Sequence, residues 1–263
     1  MTEIASCTVC GHRAKPDPFF YLWKDRRFTV YRCADCTHQF VYPQVRPQDQ
    51  SEIYSDGYFA KDGDWICGLI TAGYVEAEHQ LRTEARQVLA MLPAPRGQLL
   101  DVGCAGGVFL DEARTGGFAV AGIELNSSMA THARETYGLN VRNSRIEGIS
   151  PDEWRSQFDV VTLMDCLEHI PEPRQALFKI AHWLKPGGSV FIRGPLSNSF
   201  ITRLKESIRR TLRISKQLPG YPLDANMFNR RSLERLLADT GFADPLWINA
   251  RKDFANLLAQ RTS

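Results

Sequence analysis

The sequence predicts an α/β fold in which a mostly parallel sheet is covered by helices on both faces, preceded by a small cysteine-rich domain. Between residues 98 and 193, apolar strand-like runs alternate with helical patterns, as is typical of a parallel sheet with helices on both faces. Near the N-terminus two Cys-x2-Cys pairs stand 22 residues apart, a spacing typical of a zinc ribbon. A chain of 263 residues can hold a large domain with a small appendage.

The composition is that of an ordinary globular protein. With 43% hydrophobic residues, 24% charged residues and a net charge of +2, nothing in the overall balance requires a nucleic acid or a membrane as partner. The sequence has neither a secretory leader pattern nor an apolar run of the ~20 residues that a membrane span needs. We therefore expect a cytoplasmic protein whose seven cysteines are thiols or metal ligands rather than disulfides.

Residues 1–46 are predicted to form the zinc ribbon, with a hairpin between the two cysteine pairs. The predicted metal ligands are Cys7, Cys10, Cys33 and Cys36. Four thiolates leave no open coordination position, so the zinc would be structural. The other interpretation is a set of free thiols or a redox pair. His12 and His38 flank the two pairs and are interpreted as surface histidines.

Residues 47–96 are predicted to form a connector and lid. The polar stretch contains four aromatic residues, Tyr54, Tyr58, Phe59 and Trp65. Two interpretations stand: these aromatics cover a ligand, or they pack the ribbon against the next domain. A helix from Gly73 to Met91 follows, because apolar residues recur there at helical spacing and Pro93 ends the pattern.

The stretch LLDVGCAGGVFL, Leu99–Leu110, predicts a buried strand over Leu99–Gly103, a tight turn and a helix over Val108–Thr115. Without Cβ atoms, Gly103 and Gly107 can adopt positive φ and let the main chain approach a ligand closely. The first amides of the helix would point outward toward a nucleotide-like ligand.

Further strands and a helix are predicted downstream. The strands are Ala119–Glu124, Asn140–Asn143, Phe158–Met164 and Ser189–Arg193, and the clearest helix is Ser127–Tyr137. Ligands of such sheets bind beyond the carboxyl ends of the strands. Glu124 ends its strand about twenty residues after the glycine turn, where a carboxylate can accept hydrogen bonds from ribose hydroxyls.

Four motifs in this order resemble class I S-adenosylmethionine-dependent methyltransferases: LLDVGCAGG, AGIELNSSM, FDVVTLMDCLEHIPEP and LKPGGSVFI. The resemblance covers Gln98–Arg193 and implies a Rossmann-like seven-stranded sheet in a domain over 97–263. Its last two strands would be Leu246–Ala250 and the tail FANLLAQR, paired as an antiparallel hairpin. The ribbon and aromatic connector resemble a bacterial subgroup that modifies sugars, lipids or secondary metabolites.

The resemblance also implies a set of residues that hold S-adenosylmethionine. Asp101, Gly103 and Cys104 would border its methionine part, Glu124 would hold the ribose and Ile146 would lie near the adenine. The full predicted set is Asp101, Gly103, Cys104, Ala105, Gly107, Glu124, Leu125, Ile146, Met164 and Asp165. Ala105 departs from the family, which most often has glycine there.

Three residues after the fourth strand are candidates for catalysis: Asp165, Glu168 and His169. An imidazole with an ordinary pKa of ~6.5 suits proton removal near neutrality, so His169 is the predicted general base. It can equally anchor the loop before Ile170. The spacing also resembles the E-x2-E-H of ubiquinone-type O-methyltransferases, where acids and histidine bind a divalent metal, so a second divalent metal is a further interpretation.

A basic amphipathic insertion is predicted over 197–222. Over 199–216, Phe200, Leu204, Ile208 and Leu212 share one helical face, and basic residues cover the rest. Three interpretations remain: a packed surface helix, a cap over a phosphorylated or lipid-linked acceptor, and a peripheral membrane contact.

The predicted function is methyl transfer to a small-molecule acceptor, at an oxygen of a sugar, a lipid-linked compound or a secondary metabolite. The chain lacks the Asn/Asp-Pro-Pro-aromatic loop of enzymes that methylate DNA amines, so DNA is not expected as a partner. One alternative is an RNA methyltransferase whose ribbon holds RNA, which the near-neutral charge disfavours. The other is a catalytically inactive protein that binds the cofactor and serves a partner.

Overall fold

The computed structural model describes residues 5–54, 74–93, 97–197, 216–218, 222, 224–248 and 254–262. The chain divides into two compact units: the first contains Met1–Arg46, Asp165–Phe178 and Ile192–Ala259, and the second Pro47–Met164, Lys179–Phe191 and Gln260–Ser263. The predicted lid residues Tyr58, Phe59 and Trp65, and residues 198–215 of the predicted basic insertion, lie outside the described residues. Among the described helices, none is long and apolar enough to cross a membrane.

The first unit contains a six-stranded sheet around the cysteine pairs. Its strands are β1 (Ala5–Ser6), β2 (Arg13–Trp23), β3 (Arg26–Cys33), β4 (Gln39–Tyr42), β10 (Lys216–Gln217) and β11 (Asn226–Met227). Their order is β1-β2-β3-β4-β11, with β10 parallel to β2. The two-residue turn between β2 and β3 has positive φ at Lys24 and Asp25, as a type I′ hairpin requires. The predicted hairpin is confirmed, whereas the contribution of β10 and β11 was not predicted.

A seven-stranded sheet forms the larger part of the fold, as predicted. Its strands are β5 (Gln98–Val102), β6 (Ala119–Glu124), β7 (Val141–Asn143), β8 (Phe158–Met164), β9 (Leu184–Pro195), β12 (Leu246–Trp247) and β13 (Phe254–Gln260). The order is β12-β13-β9-β8-β5-β6-β7. The neighbours β8, β5, β6 and β7 are parallel, while β12 and β13 pair antiparallel, with Leu246 opposite Leu258.

Within the described residues, six helices lie between these strands. They are α1 (Pro47–Ile53), α2 (Tyr74–Leu89), α3 (Val108–Thr115), α4 (Ser127–Tyr137), α5 (Pro173–Trp183) and α6 (Arg230–Asp239). The side chain of Asn126 accepts from the Met129 amide and starts α4, and Gly138 with φ of 63° ends it. The helices α2 and α3 are joined by Arg82 and Arg86, which both bond to Glu112 at 2.8–3.1 Å.

The start of β9 differs most from the prediction. β9 begins at Leu184 rather than at Ser189, so it includes the KPGG sequence that was predicted as a turn. The end of the chain explains the difference: the Arg261 amide donates to the Gly188 carbonyl at 2.8 Å, and the Gln260 side chain donates to Gly187 at 3.0 Å. These bonds join the two glycines to β13 and the residue that follows it, although Gly187 has a φ of 77°.

Candidate functional site

The turn between β5 and α3 is fixed to the neighbouring strand. The amides of Gly103 and Cys104 both donate to the Ile123 carbonyl, at 2.8 and 3.1 Å. Gly103 has a φ of 79° and Ala105 a φ of 45°, so the turn needs two residues in the left-handed region. This explains why a glycine is favoured at position 105. The exposed Gly103 leaves the main chain open to a ligand at the end of β5.

Two glycines beside this turn are required by packing. A Cβ atom on Gly107, which has a φ of 87°, would lie 2.8 Å from the Ala133 Cβ. A Cβ atom on Gly122 would lie 2.7 Å from the Cys104 sulfur. The Cys104 side chain is therefore packed against β6, and any contact of Cys104 with a ligand would involve its main chain.

Glu124 lies at the end of β6 and is only 7% exposed. Its Oε2 accepts from the Ala105 amide at 2.9 Å, and its Oε1 accepts from the Asn126 amide at 2.7 Å. Burial raises the pKa of Glu124, and these amide hydrogen bonds lower it in part. A carboxylate has about four acceptor positions. The acceptor positions that these amides leave unused can bind ligand hydroxyl groups.

The Asp101 side chain, at the end of β5, is buried in the second unit. It is 1% exposed, and its Oδ1 accepts from the Thr162 hydroxyl at 2.6 Å. Burial raises the pKa of Asp101 to about 7, against the lowering effect of the Thr162 hydrogen bond. Asp101 therefore joins β5 to β8 by a buried polar contact directly before the glycine turn.

The other predicted cofactor residues of the second unit follow three of its strands. Leu125 directly follows β6 and is half-buried, Met164 ends β8 and is half-buried, and Ile146 begins a 3₁₀ turn and is 4% exposed. The Ile146 carbonyl accepts from the Lys179 ammonium at 3.1 Å. Nine of the ten predicted cofactor residues thus belong to the second unit, on β5, β6 and β8 or in the segments that follow β5, β6 and β7, while Asp165 belongs to the first unit.

Acidic residues follow β8 in the first unit. Asp165 has a φ of 49°, its amide donates to the Arg193 carbonyl at 2.9 Å, and its carboxylate forms an ion pair with the Arg193 side chain at 3.4 Å. Glu168 is 5% exposed and packs against Gly194. Burial, with the negative charges of Asp165 and Asp224, raises the pKa of Glu168 to about 8. Glu168 is thus largely protonated at neutral pH.

His169 is paired with an aspartate that the sequence did not indicate. Its Nδ1 lies 3.4 Å from the Oδ1 of Asp224, and the His169 side chain is 19% exposed. Burial raises the pKa of Asp224, and attraction to His169 lowers it in part. The pKa of Tyr21 is raised by burial and by the charge of Asp224. Because Tyr21 and Asp224 are both distant from His169 in the sequence, no local motif could have indicated them.

A second divalent metal was a further interpretation of the sequence after β8, and the described residues there form no cluster of ligand atoms. Within the described residues, groups of three or more ligand atoms within 4.8 Å of one another occur at the four cysteines and at Cys10, His12 and Asp35. Neither group includes a residue that follows β8. Asp165 instead pairs with Arg193, and His169 pairs with Asp224.

The four cysteines of the first unit form one cluster, as their spacing predicted. The sulfur atoms of Cys7 and Cys36 are 3.6 Å apart, those of Cys10 and Cys33 are 3.5 Å apart, and all four lie within 4.8 Å of one another. Tetrahedral Zn²⁺ with Zn–S bonds of about 2.3 Å holds sulfurs about 3.8 Å apart. The cluster therefore has the ligand type and spacing that zinc needs.

The two histidines beside the cysteine pairs differ, and one prediction was wrong. His12 is exposed and lies 3.7 Å from Asp35, as expected for a surface residue. His38 is 0% exposed, stacks on Phe40, and bonds through Nε2 to the Asn226 side chain at 3.0 Å. Burial lowers the pKa of His38 to about 4. The pairing of β11 with β4 brings Asn226 to this position, which explains why the sequence alone suggested a surface histidine.

Sequence comparison places the chain in a known family. Residues 77–244 match the family described as "Methyltransferase domain". A ubiquinone biosynthesis O-methyltransferase of Shewanella halifaxensis is 35% identical over 146 residues, which are 54% of this chain and 61% of that protein. The chain thus spans about three-fifths of the length of that relative. A second ubiquinone biosynthesis O-methyltransferase, of Psychrobacter arcticus, is 29% identical over 68% of this chain and 69% of its own length.

Solved structures share the fold at low sequence identity. A protein of Pyrococcus horikoshii superimposes with a TM-score of 0.57 at 19% identity, over 74% of this chain and 96% of that one. A SAM-dependent methyltransferase of Archaeoglobus fulgidus gives a TM-score of 0.55 at 15% identity, over 70% and 94% of the two chains. The family match covers more than half of the sequence, and the chain therefore belongs to the methyltransferase domain family.

Proposed function

We propose that the protein transfers a methyl group from S-adenosylmethionine to a hydroxyl oxygen of a small molecule. The observation that carries this proposal is Glu124. Two main-chain amides hold its buried carboxylate at the end of β6, and the acceptor positions that remain suit the two hydroxyls of a ribose. The open main chain of Gly103 at the end of β5 suits the close approach of the same ligand.

The cofactor, when bound, supplies a methyl group attached to a positively charged sulfur. The acceptor oxygen forms a bond to the methyl carbon while the bond from that carbon to sulfur breaks, and the electron pair of the broken bond stays on sulfur. The protein's task is to align the acceptor and to receive the hydroxyl proton. We assign the proton to His169, because an imidazole is the side chain whose reference pKa of ~6.5 suits proton transfer near neutrality. Asp165 and Glu168 shape its surroundings.

Two observations favour a small molecule with a reactive oxygen. The relatives named above are called O-methyltransferases, which supports oxygen as the methylated atom here. The second observation concerns RNA. On the β2–β3 hairpin Arg27 lies 3.7 Å from the Phe20 ring centroid, and Lys24 lies 4.7 Å from that of Trp23. Basic side chains thus cover the ring faces on which RNA bases would stack. This arrangement disfavours RNA as the acceptor. We propose a sugar, a lipid-linked compound or a secondary metabolite as the acceptor class.

The cysteine cluster is proposed to hold a structural zinc ion. Its ligands would be Cys7, Cys10, Cys33 and Cys36. Since all four positions of a tetrahedral ion would be filled by protein sulfur, the metal would stabilise the fold and take no part in methyl transfer. We expect elemental analysis to find about one zinc ion per chain in the wild type and substantially less in Cys33→Ser. Cys166→Ser is the control, because Cys166 is outside the cluster, and it should hold as much zinc as the wild type.

Methyl transfer is tested with S-adenosylmethionine that carries a tritiated methyl group. The protein and the labelled cofactor are incubated in separate reactions with neutral phenols, nucleotide-linked sugars, a bacterial lipid extract and total RNA. We expect label in a small-molecule fraction, and at least ~10-fold less label with His169→Ala. Label in RNA, or equal transfer by the His169 variant, would contradict this proposal.

A further inference from the structure

The first unit contains a contact between His169 and Asp224 to which the proposed function gives no role. His169 ends the 3₁₀ turn Leu167–His169 that follows β8, and Asp224 lies 55 residues later, just before β11. The imidazole Nδ1 and the carboxylate Oδ1 are 3.4 Å apart. The His169 side chain is largely buried, whereas that of Asp224 is 45% exposed.

A buried asparagine fixes the main chain on both sides of this contact. Asn226, which is 1% exposed, donates from Nδ2 to the Ile170 carbonyl at 2.7 Å. Ile170 directly follows His169, and Asn226 lies two residues after Asp224. The Ala225 carbonyl also accepts from the Val41 amide at 3.0 Å. The segment that carries Asp224 is thus bonded both to the loop that carries His169 and to β4.

The same asparagine is fixed from the cysteine-rich sheet. Its Oδ1 accepts from the Thr8 hydroxyl at 2.8 Å and from Nε2 of His38 at 3.0 Å. Thr8 lies between the ligands of the first cysteine pair, and His38 follows the second. The segment that carries Asp224 is therefore bonded, through Asn226, to residues beside both cysteine pairs.

The chemical consequence concerns the two ring nitrogens of His169. A neutral imidazole carries one proton, and a carboxylate beside Nδ1 favours the form that is protonated on Nδ1. The lone pair then lies on Nε2, and this nitrogen can accept the proton of a hydroxyl group. The carboxylate also stabilises the imidazolium that forms when the proton is received.

We propose that Asp224 is a positioning residue that holds His169 in the Nδ1-protonated form, with Nε2 as the proton acceptor. This inference rests on the proposed function, in which His169 receives the hydroxyl proton. Asp224 itself touches neither the acceptor nor the cofactor in this proposal. Asn226 fixes the main chain around the pair.

The direct test is nitrogen NMR of protein labelled with ¹⁵N-histidine. The His169 signals are identified by their loss in His169→Asn, and the tautomer is read from the shifts of the two ring nitrogens above pH 8. We expect the Nδ1-protonated form to dominate in the wild type. In Asp224→Ala at least about half of the population should shift to the Nε2-protonated form. Asp244→Asn, an exposed aspartate of the same unit, should leave the spectrum unchanged.

A second measurement keeps the inference testable if Asp224→Ala does not fold. Asp224→Asn preserves the shape of the side chain and removes the charge, and we expect a mixture of the two tautomers. In either folded variant, labelled methyl transfer should fall by about 10- to 1,000-fold with unchanged affinity for S-adenosylhomocysteine. An unchanged tautomer in folded Asp224 variants would overturn the inference. Failure of the wild type to bind S-adenosylhomocysteine would instead contradict the proposed function. The tautomer of His169 could still be measured in that case, because the NMR experiment needs no cofactor.

Discussion

Replacement of Asn226 by alanine should destabilise the first unit more than any surface substitution. Asn226 makes three hydrogen bonds, with Thr8, His38 and Ile170, at 2.7–3.0 Å. Two of these partners, His38 and Ile170, are at most 7% exposed, so water cannot easily replace the lost bonds. The Nδ1 of His38 already lacks a partner among the described residues, and the variant would leave both ring nitrogens of this histidine unpaired.

The expected loss follows from the cost of leaving buried polar groups unpaired. At about 1–3 kcal/mol for each buried group, the His38 nitrogen and the Ile170 carbonyl together cost roughly 2–6 kcal/mol. The half-buried Thr8 hydroxyl can turn to water. We expect the free energy of unfolding to fall by about 3 kcal/mol. The measurement is urea unfolding of zinc-loaded protein at constant free zinc, because bound metal contributes to apparent stability.

A matched control is Asn143→Ala. The Asn143 side chain also donates to two carbonyls, those of Glu124 and Leu125, at 2.9 Å, but it is exposed. Water can take its place there, so we expect a loss below about 1 kcal/mol. If Asn226→Ala costs no more than Asn143→Ala, the buried network does not hold the cysteine pairs as described.

Two further predictions concern the strand and turn that precede α3. Asp101 has a pKa of about 7 in the folded protein, above its usual 3.8, so the folded state binds more protons than the unfolded state between these values. The free energy of unfolding should therefore fall as the pH rises from 4 to 8, by up to roughly 4 kcal/mol from this group. Asp101→Asn should remove at least about half of that fall in urea unfolding at pH 5 and pH 8, and an unchanged pH dependence would contradict the assignment. Ala105→Gly should raise stability by up to about 1 kcal/mol, because Ala105 has positive φ. Gly107→Ala should lower it by about 2 kcal/mol or more, since φ is positive there and the added Cβ would lie 2.8 Å from that of Ala133. Thermal unfolding of both variants checks the opposite signs.

Local sequence patterns were sufficient for much of this fold. The strands β5, β6 and β8 and the helices α3 and α4 were predicted within a residue or two, because buried parallel strands are continuous apolar runs and the turn residues mark their ends. The four cysteines were predicted from spacing alone, and their sulfurs meet in one cluster. In each case the signal lies in a few neighbouring residues.

The features that were missed depend on residues far apart in the chain. Asp224 meets His169 across 55 residues, and Asn226 reaches Thr8 across 218 residues. His38 was predicted to be exposed because nothing beside it in the sequence shows that β11 pairs with β4 and brings Asn226 close. Buried polar pairs of this kind have no periodic pattern, and only the three-dimensional structure indicates them.

The most direct measurement of the central claim is calorimetric titration with S-adenosylhomocysteine. We expect the wild type to bind S-adenosylhomocysteine with about one site per chain. Glu124→Gln should weaken binding by at least about 10-fold, because the ribose would lose charged acceptors worth roughly 1.5 kcal/mol or more. Glu135→Gln, an exposed glutamate on α4, should bind like the wild type. No binding by the folded wild type, or equal affinity in folded Glu124→Gln, would contradict the claim that this site holds S-adenosylmethionine.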